Sequence, residues 1–286
     1  MSRILFYGTI LLGAWWWMLR MPGRSAEGPL PPLSEGESRL ASQVRRDVQA
    51  LAADIGERNI PDNSQHLDAA ADYIERAFRA AGYVAQSKPY RIGVHICRNI
   101  EAELRGGARP DEIVVVGAHY DTVPGSPGAD DNASGIAAVL ALARTFARSP
   151  TRRTLRFLAF ANEEPPWFWQ AEMGSLVYAK ECRARHDRIV AMLSLESVGF
   201  YSDAPRSQTY PVGLGILYPA TGNFVAFIGN VTSRPLVHRA IAAFRATNAL
   251  PTIGAGAPNA IPGVGWSDHW ALRRTAWTTR AWRDFP

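Results

Sequence analysis

Apolar positions recur every three or four residues through Ser38–Ile55 (Leu40, Val44, Val48, Leu51) and again through His66–Ala81 (Leu67, Ala71, Ile74, Phe78), with charged residues between them. That spacing keeps one helix face apolar and predicts two amphipathic helices. Gly82 stands where a helix commonly ends. Tyr83–Ile92 and Asn99–Leu104 alternate as strands do, and the unbroken apolar run Ile113–Ala118 predicts a strand buried on both faces. A helix over Ser134–Ala147, a strand over Thr154–Ala161, a helix over Gly174–Ala184 and a strand over Ile189–Leu195 follow. Phe224–Asn230 and Arg234–Thr247 add one more strand and helix. Strands alternating with helices of this length predict an α/β sandwich around a mixed, largely parallel sheet. Residues 36–270 read as one domain, without an internal repeat.

The amino terminus departs from this pattern. Ile4–Leu19 is an uncharged run of 16 residues between Arg3 and Arg20, with Trp15, Trp16 and Trp17 at its far end. As a helix rising about 1.5 Å per residue it falls slightly short of a hydrocarbon core of about 30 Å. Residues 1–24 are therefore expected to be a signal anchor or a signal peptide. The tryptophans suit a membrane interface and favour retention, with the body outside the cytoplasm. The proline-rich stretch 25–35 reads as a linker.

Composition narrows the options. The 286 residues are 47% apolar, enough for a sizeable core, which excludes a disordered chain. The formal charge of +5 sits at the two ends: residues 1–24 and 273–286 each carry +3, which leaves −1 for the body. A near-neutral body lacks the clustered Lys and Arg of a nucleic-acid surface. Two cysteines, Cys97 and Cys182, exclude a disulfide scaffold and a Cys-rich zinc module, and fit either one bridge or two free thiols.

Chemistry gathers just beyond the carboxyl ends of three predicted strands: His119, Tyr120 and Asp121 after the first, Asn162, Glu163 and Glu164 after the second, Glu196 after the third. In an open α/β sheet that edge is where ligands bind. Asp130 and Asp131 lie in the Gly-rich stretch PGADDNASG that leads into a helix. One imidazole among several carboxylates suits Zn²⁺, and crowded carboxylates need a cation in order to coexist.

The ordered motifs GAHYDTVPGSPGADDNASG, FANEEP and SLESVG, between about Glu37 and His269, resemble the zinc aminopeptidase and glutamate carboxypeptidase family of co-catalytic metallopeptidases, which also includes glutaminyl cyclases. The resemblance implies a three-layer zinc exopeptidase fold and two zinc ions. It implies that His119 binds the first ion, that Asp131 bridges both and precedes a cis peptide bond, and that Glu164 binds the second ion. It implies Glu163 as the general base, and Asp121 as the acceptor that fixes the His119 tautomer.

Two positions depart from the family pattern. The third strand ends in Glu196 where the family has Asp, a change that keeps the carboxylate. The histidine that completes the second metal site in the family, from a Tyr-His-Thr-like loop some tens of residues beyond a Ser-Asp-His segment, has no counterpart after Ser267, Asp268 and His269. His66, His95, His186 and His238 lie in unsuitable places, and His269 is the substitute to examine. The tail 271–286 reads as an atypical basic segment, consistent with a frame change near Trp270 and a carboxyl-terminally truncated fold. The expected function is zinc-dependent removal of amino-terminal residues from peptides, with glutaminyl cyclisation by a single zinc or a non-catalytic peptide-binding role as rivals. Trp167 and Trp169, directly after the Glu163–Glu164 pair, are expected to line the substrate pocket, with ordinary loop packing as the alternative.

Overall fold

A computed structural model of the chain describes residues 7, 13–210, 214–216, 218–247, 250–261 and 263–274. These group into two compact units, residues 33–199 with 267–274 and residues 13–32 with 200–266.

In the first unit, α1 (Glu35–Gln49) begins at a capping box: the Ser34 hydroxyl accepts from the Glu37 amide, and the Glu37 carboxylate accepts from the Ser34 amide. The helix widens into a turn over Ala50–Ile55 and stops at Gly56, whose φ of +88° suits a residue without Cβ. Then come α2 (Ser64–Ala80), β1 (Gln86–Ile92), β2 (His95–Leu104), β3 (Arg109–His119), α3 (Gly135–Phe146), β4 (Arg153–Phe160), α4 (Gly174–Ala184), β5 (Arg188–Ser194) and, after residue 266, the short α6 (His269–Arg274).

The five strands form one mixed sheet in the order β1-β2-β4-β3-β5, with β2 antiparallel to both neighbours and β3 parallel to β4 and β5. Alternation along β4 shows why its second half, Phe157–Phe160, is apolar throughout. Phe157 and Ala159 enter the core beneath α1, α2 and α3, with Phe78, Ile100 and Leu140, whereas Leu158 and Phe160 enter the opposite core with Val115 and Tyr178. Helices cover both faces, as the three-layer expectation required. Each large side chain buried this way contributes about 1.5–3 kcal/mol. Cys97 lies in the first of these cores and Cys182 in the second, and both are free thiols.

At the amino-terminal end of β4, buried Arg156 is held by Glu103 at 2.7 Å and Asp187 at 2.6 Å, with the Tyr178 hydroxyl 3.3 Å away.

The second unit holds β6 (Val225–Asn230), α5 (Arg234–Thr247) and β7 (Thr252–Ala257), with β6 and β7 paired in parallel as a separate two-stranded sheet. β7 escapes sequence reading because TIGAGA lacks the bulky alternation that marks a strand. Arg245 closes the unit by donating to the Thr252 hydroxyl at 2.7 Å and carbonyl at 2.9 Å.

No helix among the described residues is long and apolar enough to cross a membrane. Half of the expected anchor Ile4–Leu19, residues 4–6 and 8–12, lies outside the described residues, as does the tail from residue 275.

Candidate metal centre

Because β3, β4 and β5 are parallel and in register (His119 beside Phe160, Gly117 beside Ser194), the chain leaves the sheet at three neighbouring points on one edge. His119 is the last residue of β3 and is 2% exposed. Its Nδ1 lies 3.3 Å from the Asp121 carbonyl oxygen and 3.5 Å from the Asp121 Oδ1. Acceptors on that side hold a proton on Nδ1, so that when the imidazole is neutral its Nε2 lone pair faces the site. The Asp121 carboxylate has a second use that sequence reading missed. Its Oδ1 accepts from the Glu163 amide and its Oδ2 from the Glu164 amide, each at 3.0 Å, so one buried carboxylate fixes the backbone of both glutamates to the end of β3.

Asn162 turns the chain there with φ of +59°, held by donation from its side chain to the Tyr90 hydroxyl at 3.0 Å.

Asp131 arrives from the Gly-rich loop, where Gly128 has φ of +57° and the Asp131–Asn132 peptide is cis. The two adjacent aspartates diverge. Asp131 Oδ1 lies 3.1 Å from His119 Nε2, whereas Asp130 turns away to accept from the Gly199 amide at 2.8 Å. Glu196 Oε2 lies 3.3 Å from the same Nε2, and Glu163 Oε2 lies 3.8 Å from it. Two sets of metal-capable groups form among the described residues, His119 with Asp131 and Glu196, and His119 with Glu163 and Glu164. His269 opens α6 and joins neither set.

A tetrahedral zinc with bonds of about 2.1 Å holds neighbouring donor atoms about 3.4 Å apart. The 3.1 and 3.3 Å separations around Nε2 match that spacing, and an imidazole with two carboxylates matches the chemistry, so the first set fits a zinc ion.

Glu196 fits despite standing where the resembling family has Asp. Its Oε1 accepts from Ser267 at 2.5 Å and Ser194 at 3.0 Å, and its Oε2 accepts from the Asn132 side chain at 2.6 Å. Three donors thus pin the longer arm. Fully buried Asn132 also donates to the Leu195 carbonyl at 2.9 Å and accepts from the Gly135 amide at 3.1 Å, which joins the Gly-rich loop to the end of β5. Asn132, Ser194 and Ser267 escaped sequence reading as supports. The single available signal was the position of Asn132 directly after Asp131, and an Asn ahead of a helix reads first as a cap.

Burial alone would lower the His119 imidazole, but the charge of Glu196 and the hydrogen bonds it donates to Asp121, Asp131 and Glu196 hold it well above its usual value. Asp131 is lowered, chiefly by its hydrogen bond to His119. Glu163 and Asp268 are both raised, first by burial and then by neighbouring carboxylates, with His119 opposing. Glu164 is raised from 4.5 to about 7, burial again being the main cause.

A carboxyl raised by folding stabilises the fold below its unfolded value and loses that contribution as pH climbs through its folded one. Metal-free protein is therefore expected to melt at progressively lower temperature as pH rises from about 5 through 7 and beyond. Glu164→Gln should flatten that slope. Thermal melts of chelator-treated protein at several pH values provide the check, and equal slopes in both proteins would refute the assignment.

The aromatic run after Glu164 divides. Trp167 is half-buried against the core beneath α1–α3. Trp169 is 46% exposed, with its ring 4.7 Å from that of Phe168 and 6.0 Å from that of Trp270. A cavity lined by Glu103, Arg105, Arg156, His186 and Asp187 opens at the opposite edge of β3 and β4, away from this cluster.

Residues 99–254 match the model of peptidase family M28. The chain is 34% identical over 236 residues to the Escherichia coli protein YfbL, covering 79% of this chain and 71% of that one. Aminopeptidase YwaD of Bacillus subtilis is 39% identical over 90 residues, a match to 32% of this chain that spans 18% of YwaD. Among solved structures, glutaminyl cyclase of an Acidobacteriales bacterium superposes with a TM-score of 0.60 at 14% identity, covering 89% of this chain and 81% of that one.

Proposed function

The chain belongs to peptidase family M28 and is a zinc-dependent peptidase, and from that premise we propose that it removes amino-terminal residues from peptides, with zinc held by His119, Asp131 and Glu196 and with Glu163 as general base. The observation that carries this reading is the convergence of Asp131, Glu196 and Glu163 carboxylate oxygens within 3.1 to 3.8 Å of His119 Nε2. Zinc there supplies Lewis-acid polarisation of the scissile carbonyl and acidifies water.

This chain's own residues do the rest. The Asp121 carbonyl and carboxylate orient the imidazole, and the same carboxylate holds the Glu163 amide so that the Glu163 side chain stays beside the ligands. Burial makes the Glu163 carboxylate a stronger base than an exposed one, and it takes the proton of the attacking water and passes it to the leaving amine. Asp131 lies near enough to Glu164 for its charge to raise that carboxyl, and Glu164 would offer a carboxylate to a second ion.

The test combines zinc analysis of the purified chain with a panel of aminoacyl-nitroanilides, amino-terminally blocked peptides and Gln-initiated peptides. Bound zinc with cleavage of free-amine substrates alone supports the proposal. Pyroglutamate formation in place of cleavage would assign the site to glutaminyl cyclisation, and zinc-free protein without either activity would leave only peptide binding.

The exposed ring of Trp169, beyond the Glu163–Glu164 pair, is assigned to the side-chain pocket. Trp169→Ala is expected to lower kcat/KM for bulky apolar amino-terminal residues about tenfold relative to alanine substrates, since a changed apolar contact is worth 10-fold or more in discrimination. An unchanged preference would return Trp169 to simple loop packing.

A further inference from the structure

Arg58 is the largest fully buried side chain that the zinc-site reading leaves unused. Its guanidinium meets only main-chain carbonyls. Nε donates to the Tyr120 carbonyl at 2.7 Å, Nη1 to Leu51, Gly56 and Pro127 at 2.8, 2.7 and 2.8 Å, and Nη2 to Gly128 at 3.2 Å. Its backbone pairs in both directions with Thr122: the Arg58 amide donates to the Thr122 hydroxyl at 3.0 Å, and the Thr122 amide donates to the Arg58 carbonyl at 2.9 Å.

Three of these attachments have special places in the chain. Tyr120 directly follows His119, and Pro127 and Gly128 lie four and three residues before Asp131. Gly128 has no room for a side chain: an added Cβ would collide with Thr122 Cγ2 and the Asp131 carbonyl oxygen and would stand 3.1 Å from Arg58 Nη2. An apolar side chain at residue 58 would leave these carbonyls without donors, and the cost of burying the cation is only partly offset by the charge of Asp121. A planar cation with five donors is well suited to hold three separate carbonyl-bearing segments in one geometry.

We infer that Arg58 is a positioning residue that clamps the Gly-rich loop carrying Asp131 against the end of β3 carrying His119, and so sets the zinc affinity of the site. The inference rests on the zinc reading above, and the experiment separates the two.

Zinc affinity of the full chain is measured by competition with a chromophoric chelator, well below the melting temperature, for wild type, Arg58→Lys and Arg156→Lys. Arg58→Lys keeps the charge but loses the fork, and is expected to bind zinc about 10- to 100-fold more weakly, as when a group that orients a ligand is lost. Arg156→Lys disturbs a buried arginine at the far edge of the same sheet, and should lower the melting temperature with zinc affinity unchanged. Should Arg58→Lys fail to fold, the near-isosteric Thr122→Val keeps the arginine but removes the hydroxyl that accepts from its backbone amide, and must also weaken zinc binding. Wild-type affinity in the folded Arg58→Lys, or in Thr122→Val where that is the usable variant, overturns the clamp. A wild-type chain that binds no zinc overturns the reading beneath it.

Discussion

Glu163→Gln is expected to lower the rate of peptide cleavage by about 10²- to 10⁴-fold, the usual contribution of a positioned general base, with zinc content and KM close to wild type. The substitution preserves shape. The backbone amide of residue 163 stays within reach of Asp121 Oδ1, and the set of His119, Asp131 and Glu196 loses nothing. An amide oxygen cannot hold the transferred proton, so the loss falls on kcat. Steady-state kinetics beside metal analysis decide the matter: a kcat within about threefold of wild type would remove Glu163 from the chemistry, and coincident loss of zinc would recast it as a ligand.

His119→Ala is expected to abolish zinc retention and to take cleavage to background. His119 is the one imidazole in both metal-capable groups, and Asp131, Glu196 and Glu163 all face its Nε2. Without it, four carboxylates remain at the site, with Asp121 and buried Asp268 behind them and no cation between. The fall in zinc affinity should exceed the roughly 100-fold upper range seen when an outer partner of a ligand is lost. The metal-free variant should also melt below metal-free wild type, because the raised imidazole is the positive charge that lets these acids coexist at neutral pH. Chelator competition and thermal melts measure both quantities. Retained zinc would move the centre elsewhere.

His119, Glu163, Glu164 and Glu196 were legible because each follows a strand whose apolar run is unmistakable, whereas Asp131 lies in the Gly-rich loop. IVVVGA and TLRFLAFA announce buried parallel strands, and parallel strands must end on one edge, so His119, Glu163 and Glu196 could be brought together without coordinates. α4 was readable to the residue, whereas β7 was hidden by its small residues.

What holds the site was harder to see, since its supports act through the main chain or through register. Arg58 sits in GERNIP, outside any periodic segment, and its partners are carbonyls, which leave no mark in a sequence. Ser194 and Asn132 meet at Glu196 only because the Gly-rich loop folds back to the end of β5, a contact across more than 60 positions. Replacement of Asp by Glu at residue 196 read as a departure from a family pattern, and the three donors on its carboxylate supply the physical reason that the longer side chain still reaches the ligand set.

Anomalous diffraction at the zinc edge from crystals of the zinc-loaded chain tests the central claim most directly. The account predicts a peak bounded by His119 Nε2 and the carboxylates of Asp131 and Glu196, with Glu163 beside it. A zinc-loaded crystal with no peak among these residues, or with its peak elsewhere, would contradict it.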